Sequence, residues 1–158
     1  LICQSEIPKG PNSLTCHPMA HRIRIETSIR LSLEGTWDAY TLPEHIVQWN
    51  FADESWHCPF ATNDLRTGGT YHARMEARDQ SAGFDFIAEY TEVTPLQQFT
   101  YVFGGRFCTV SFLPEQDATR VRIEFDAEEE HSIELQEQGW QAILNRFKAH
   151  AEGAQGIQ

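Results

Sequence analysis

Between Ser55 and Phe125 the chain repeats one pattern six times: a short run in which apolar and polar residues alternate, then a turn signal. In "YHARMEAR" Tyr71, Ala73, Met75 and Ala77 share one parity, and His72, Arg74, Glu76 and Arg78 share the other. "FDFIAEYTEV" groups Phe84, Phe86, Ala88 and Tyr90, and "TRVRIEF" sets Val121, Ile123 and Phe125 against Arg120, Arg122 and Glu124. "QFTYVF" and "RFCTVSF" add two more runs, the second with Cys108, Val110 and Phe112 on one side. A period of two predicts half-buried strands. "TGGT", "DQSAG", Pro95, Gly104-Gly105 and "EQDA" supply the turns between them, so successive strands run antiparallel. The first run, roughly Ser55 to Leu65, carries Pro59, which predicts an edge strand or a bulge.

A meander with one polar face needs a cover on the other. The segment from about His131 to Ala149 is the one long enough, with Ile133, Trp140, Leu144 and Phe147 along its apolar stripe. Upstream, "HRIRIETSI" predicts a further strand through Ile23, Ile25 and Ile29. Leu33, Trp37 and Tyr40 then fall at helical spacing. Pro43 ends that helix and opens a second one, with Thr41 or Leu42 at its cap. The expected fold is α+β: a strand, two short helices, six antiparallel strands and a long helix gripped by the curved sheet. Residues 19–150 form the single domain, 151–158 a flexible tail. Residues 1–18, with three prolines and no amphipathic period, are an extension outside the domain. They carry neither the basic n-region nor the apolar h-region of a signal peptide.

The charge excludes some functions. The net charge is −11, and Asp126 to Glu137 holds six carboxylates with no Lys or Arg. No basic face is available to replace counterions on nucleic acid. No apolar run approaches the roughly 18 residues of a membrane span. Four cysteines, Cys3, Cys16, Cys58 and Cys108, match no zinc spacing and read as free thiols, which places the chain in the cytoplasm. His57 and Cys58 are neighbours, but on a strand neighbours point to opposite faces, so they do not chelate together. Neither a metal nor a cofactor is expected.

Four segments together resemble one family: "TWDAYTLPEHIVQW" (Thr36 to Trp49), "LRTGGTY" (Leu65 to Tyr71), "YTEVTP" (Tyr90 to Pro95) and "HSIELQEQGWQAIL" (His131 to Leu144). In their order and spacing they resemble bacterial single-domain members of the START-like (SRPBCC) superfamily, those similar to the C-terminal domain of the Hsp90-ATPase activator. The resemblance spans roughly residues 21 to 150. It implies a helix-grip fold, of the START and Bet v 1 type, that often leaves an apolar cavity between sheet and helix. It also gives a role to Gly139, which would otherwise cost a helix about 1 kcal/mol relative to Ala. A missing side chain would let the helix approach the sheet or the short helices, while Trp140 fills or lines the space beneath.

The inward parity is rich in aromatics: Trp56, Phe60, Tyr71, Phe84, Phe86, Tyr90, Phe99 and Tyr101, with Met75. Rings with a few hydroxyls suit a site for flat apolar molecules, and they equally suit a filled core. The expected cavity residues are Trp56, Cys58, Phe60, Tyr71, Met75, Phe86, Tyr90, Tyr101, Trp140 and Leu144. No residue is expected to be catalytic, because no nucleophile elbow, P-loop, dinucleotide fingerprint or HExxH occurs. His72 belongs to the charged face, His45 to a helix surface near Asp38 and Glu44, and His131 to a helix cap. Three readings remain open. The first is a module binding a small hydrophobic or aromatic ligand. The second is a co-chaperone-like partner of an Hsp90-type chaperone, docking through the acidic stretch. The third is a cyclase- or hydrolase-type enzyme using a tyrosine or His57. A homodimer through the sheet edges also stays open.

Overall fold

The alternating runs become seven strands of one antiparallel sheet in a computed structural model that describes residues 21–156, with side chains through residue 153. In chain order the elements are β1 (Arg22–Ile29), α1 (Leu33–Thr41), α2 (Pro43–Trp49), β2 (Trp56–Asn63), β3 (Thr70–Ala77), β4 (Gly83–Thr94), β5 (Gln98–Phe103), β6 (Arg106–Glu115), β7 (Ala118–Asp126) and α3 (Ile133–Gly156). The order across the sheet is β1-β7-β6-β5-β4-β3-β2. Every meander strand therefore pairs with its successor, and β1 closes onto the last strand. The two short helices carry the chain from one sheet edge to the other. The sheet curls as a half-barrel around α3, the helix-grip arrangement.

Local chemistry sets the corners. Ser32 caps α1, its Oγ accepting the Gly35 N–H at 3.0 Å. Leu42 is extended and makes no side-chain cap bond; Pro43 opens α2 directly after it. At Gly104-Gly105 both φ angles are positive, 56° and 79°, as a two-residue hairpin requires. Pro59 satisfies both expectations at once: β2 is an edge strand, and its register with β3 shifts between His57 and Phe60. The opposite edge, β1, is tied to α3. Lys148 Nζ donates to the Ser28 carbonyl at 2.6 Å, and Glu152 accepts the Arg30 N–H at 2.9 Å.

Two expectations about α3 change. Its cap is Ser132, whose Oγ accepts the Leu135 N–H at 3.1 Å, whereas His131 binds Glu128 at 2.6 Å. The helix also runs through Gly156, so the expected tail begins inside it, and Ala151 is fully buried. Alanine and glutamate are good helix formers, and the polar look of "AEGAQG" hid one buried position. The expected extension 1–18 lies outside the described residues.

On α3, Leu144, Phe147 and Ala151 are buried. Burying a side chain the size of Leu or Phe contributes about 1.5–3 kcal/mol. Phe147 meets Tyr40 and Trp49 edge-on, with ring centroids at 5.0 and 5.1 Å. That contact joins α3 to both short helices. Trp37 of α1, Phe99 of β5 and Phe112 of β6 continue the same cluster, with Trp37 to Phe112 at 5.0 Å.

Candidate functional site

The aromatic surplus divides along β5. At its start Phe99 is packed among rings, 5.9 Å from Trp37 and 5.5 Å from Tyr90. Toward its end the rings stand around open space. A cavity of about 280 Å³ lies between the sheet and α3, close to the lower size of small-molecule sites. The chain has four tyrosines, Tyr40, Tyr71, Tyr90 and Tyr101, and all four line it.

Each element contributes through its periodicity. β3 supplies Tyr71 and Met75, β4 supplies Phe84, Phe86 and Tyr90, and β5 supplies Phe99, Tyr101 and Phe103. All lie on the inward parity of their strands. β6 and β7 add Arg106 and Ile123. α3 contributes Trp140, Ile143 and Leu144, one helical face. Trp140 does two things: one face stacks on Phe125 at 3.9 Å and 11°, while the side chain also borders the cavity. Core packing and lining, compatible readings in the sequence, are the same residue's two sides.

Seven of the ten expected residues line the cavity: Tyr71, Met75, Phe86, Tyr90, Tyr101, Trp140 and Leu144. Trp56, Cys58 and Phe60 do not, and for Phe60 the bulge in β2 is the reason. It shifts the register between His57 and Phe60. Phe60 turns outward, 45% exposed, with its ring edge on His72 at 5.2 Å. Cys58 is buried in the core outside the lining, and Trp56 packs against Phe84 at 6.0 Å. Among the residues not anticipated, Tyr40, Trp49 and Asn50 come from α1, α2 and the turn after them. Nothing in strand parity could place these. Phe103 and Arg106 were legible by parity, since each continues the inward series of its strand.

Gly139 behaves differently from expectation. A Cβ built on it would meet nothing within 4 Å, so it permits no close approach to the sheet or the short helices.

The polar groups in the wall are partly paired with one another. Asn50 Nδ2 donates to Tyr71 Oη at 2.9 Å, which leaves the Tyr71 proton free to donate. Tyr90 donates to Asn63 Oδ1 at 2.7 Å, and Asn63 Nδ2 donates to the Thr41 carbonyl at 2.8 Å. The Tyr40 hydroxyl takes part in neither of these pairs. Burial pushes the Tyr40, Tyr71 and Tyr101 phenols well above their ordinary range, and neighbouring Cys108 adds to each. Burial also raises Tyr90, against its hydrogen bond to Asn63. All four therefore stay protonated at neutral pH, able to donate hydrogen bonds but not to act as bases. Cys108, behind this wall, is pushed up to about 12 by burial and remains an inert thiol.

The histidines lie elsewhere. His57 is 3.8 Å from Glu76, and His72 is 3.0 Å from Asp85 on the charged face of the sheet. His45, expected on a helix surface, is half-buried and pairs with His150 of α3 at 2.8 Å. Among the described residues no group of three or more His, Cys, Asp or Glu could hold a metal ion. No described helix is long and apolar enough to cross a membrane.

Comparison with known proteins agrees with this architecture. The family model "Activator of Hsp90 ATPase homolog 1-like protein" matches residues 30–152. The solution structure of an AHSA1-like protein from Aeromonas hydrophila is 38% identical, with a TM-score of 0.82; the match covers 87% of this chain and 96% of that one. A solution structure from Cytophaga hutchinsonii is also 38% identical, with a TM-score of 0.73 and the same coverages, 87% and 96%. A crystal structure from Chromobacterium violaceum shares the fold at 23% identity, with a TM-score of 0.74, covering 84% of this chain and 98% of that one. No curated protein matches. A family match over residues 30–152, from directly after β1 into the last turns of α3, makes this chain a member of the Activator of Hsp90 ATPase homolog 1-like family.

Proposed function

We propose that this protein is a binding module for a small, flat, apolar ligand held between the sheet and α3. The observation that carries the reading is the gathering of all four tyrosines around one cavity of about 280 Å³. A chain that needed only a filled core would place branched aliphatics there, which carry no polar atom to satisfy. Here the walls are rings, which match a flat partner face to face, and protonated phenols, which donate to a ligand oxygen or nitrogen. Burial of the ligand's apolar surface supplies affinity, at about 25 cal/mol per Å², and the hydroxyls supply orientation.

The test is native mass spectrometry of the purified protein, followed by extraction and identification of any small molecule lost on unfolding. The comparison variant is Ile143→Trp, which adds a large ring to the cavity wall while leaving the Trp140–Phe125 stack untouched. A reproducible adduct on the native chain, absent from a folded Ile143→Trp protein, is the expected result. A hydrophobic dye such as N-phenyl-1-naphthylamine gives a second readout. Equal dye binding by the native and filled proteins would refute the reading. Trp140→Ala is the poorer variant, because it also removes a stacked ring from the core.

A further inference from the structure

Of the described residues around the cavity, one carries a formal charge at neutral pH, and it is Arg106. Its placement is fixed by the hairpin. The two-residue turn at Gly104-Gly105 makes Phe103 and Arg106 direct cross-strand partners. Directly opposed residues project from the same face of a sheet. Phe103 faces the core, so Arg106 does too, although a charged residue in that parity is otherwise absent from β6. Cys108, Val110 and Phe112, the following residues of that series, are all buried apolar groups.

The guanidinium lies over the Phe103 ring, with Cζ at 4.5 Å from its centroid. Its Nη1 donates to the Asp126 carbonyl at 3.1 Å. The Asp126 carboxylate, the nearest candidate counter-ion, is engaged elsewhere. Oδ1 accepts Arg22 at 2.9 Å, and Oδ2 accepts the Phe107 N–H at 2.9 Å. Among the described residues Arg106 has no carboxylate partner, and only one of its donors is used. A half-buried cation with unused donors beside an apolar cavity is stabilised by whatever anion enters.

We propose that the ligand is an apolar acid: a flat hydrophobic body in the aromatic cavity, with a carboxylate that Arg106 receives. This rests on the cavity-binding reading above and names the chemical class of its ligand. The field of a chain with net charge −11 disfavours anions at a distance. The preference therefore comes from the short-range contact with the guanidinium, whose planar fork matches a carboxylate.

The experiment is calorimetric titration of the full chain with 2-naphthoate and with its uncharged analogue 2-naphthamide, on the native protein, Arg106→Gln and Arg106→Lys. The native protein is expected to bind the carboxylate about tenfold more tightly than the amide, the scale of one charge-assisted contact. Arg106→Gln should lose that preference while its affinity for the amide changes less than about twofold. Arg106→Lys, which keeps the charge and the alkyl stem but not the fork, should keep part of it. Equal binding of both probes by the native protein, or a preference that survives in Arg106→Gln, overturns the carboxylate assignment while amide binding upholds the cavity. Binding of neither probe overturns both.

Discussion

Gly139 stands in the middle of α3 with open space where a side chain would be. Nothing in its surroundings repays the helix for it. Replacing it by Ala should stabilise the fold by about 0.5–1 kcal/mol, read as a higher urea midpoint with an unchanged slope. A fall in stability would mean that the close-approach role drawn from the family resemblance holds after all. Two other residues on α3 set the pH response. Burial, and then the charge of His45, lower His150 from its ordinary range. Its neutral form is the folded one, so the unfolded chain takes up the proton first, and stability is lost as pH falls below about 6.5. Burial opposes the Glu152 carboxylate, but Lys148 and the Arg30 N–H and guanidinium prevail and hold it at about 2. Its contribution is complete above its unfolded value and is lost as pH falls toward 2. The melting temperature should therefore drop in two stages on acidification. His150→Gln should flatten the upper stage and Glu152→Gln the lower one. A single transition unaffected by either change would show that these groups do not govern acid stability.

At the scale of elements, the end of α3 is what the polar sequence concealed. Ala151 is fully buried and Glu152 links the helix to Arg30, directly after β1. Ending the chain after Ala149 removes both and leaves Arg30 without its carboxylate. Hydrogen bonds to charged groups contribute about 1.5–3 kcal/mol, so the shortened chain should lose roughly that much in denaturant unfolding. A loss below about 0.5 kcal/mol would mean that the helix already ends, energetically, at Phe147. The strands were far more legible than this helix end. In β3 the inward set Tyr71, Ala73, Met75 and Ala77 is the buried set, because a period of two leaves no choice of face. β2 was less legible. Pro59 announced a bulge, but which residue the bulge would turn outward depends on pairing with β3, and so Phe60 was placed in the cavity although it faces out.

For the molecule as a whole, the partition between packed core and open cavity is the functional question. It depends on where α1 and α2 end. Trp37, Phe112 and Phe147 close one end of the sheet. The Gly104-Gly105 hairpin and the Trp140 turn of α3 leave the other end open around Tyr101 and Arg106. Alternation, turn residues and the C-terminal apolar stripe were sufficient for the strands, the long helix and the helix grip, since burying one face of each element admits few other arrangements. They also supplied most of the wall, because inward parity is a local property. The sequence could not supply the volume left unfilled, the residues that α1 and α2 bring to the wall, the turning-out of Phe60 or the unpaired state of Arg106. Those depend on the summed positions of side chains from elements distant in the chain, and on which carboxylates are already taken. Such facts exist only once the sheet has closed on the helix.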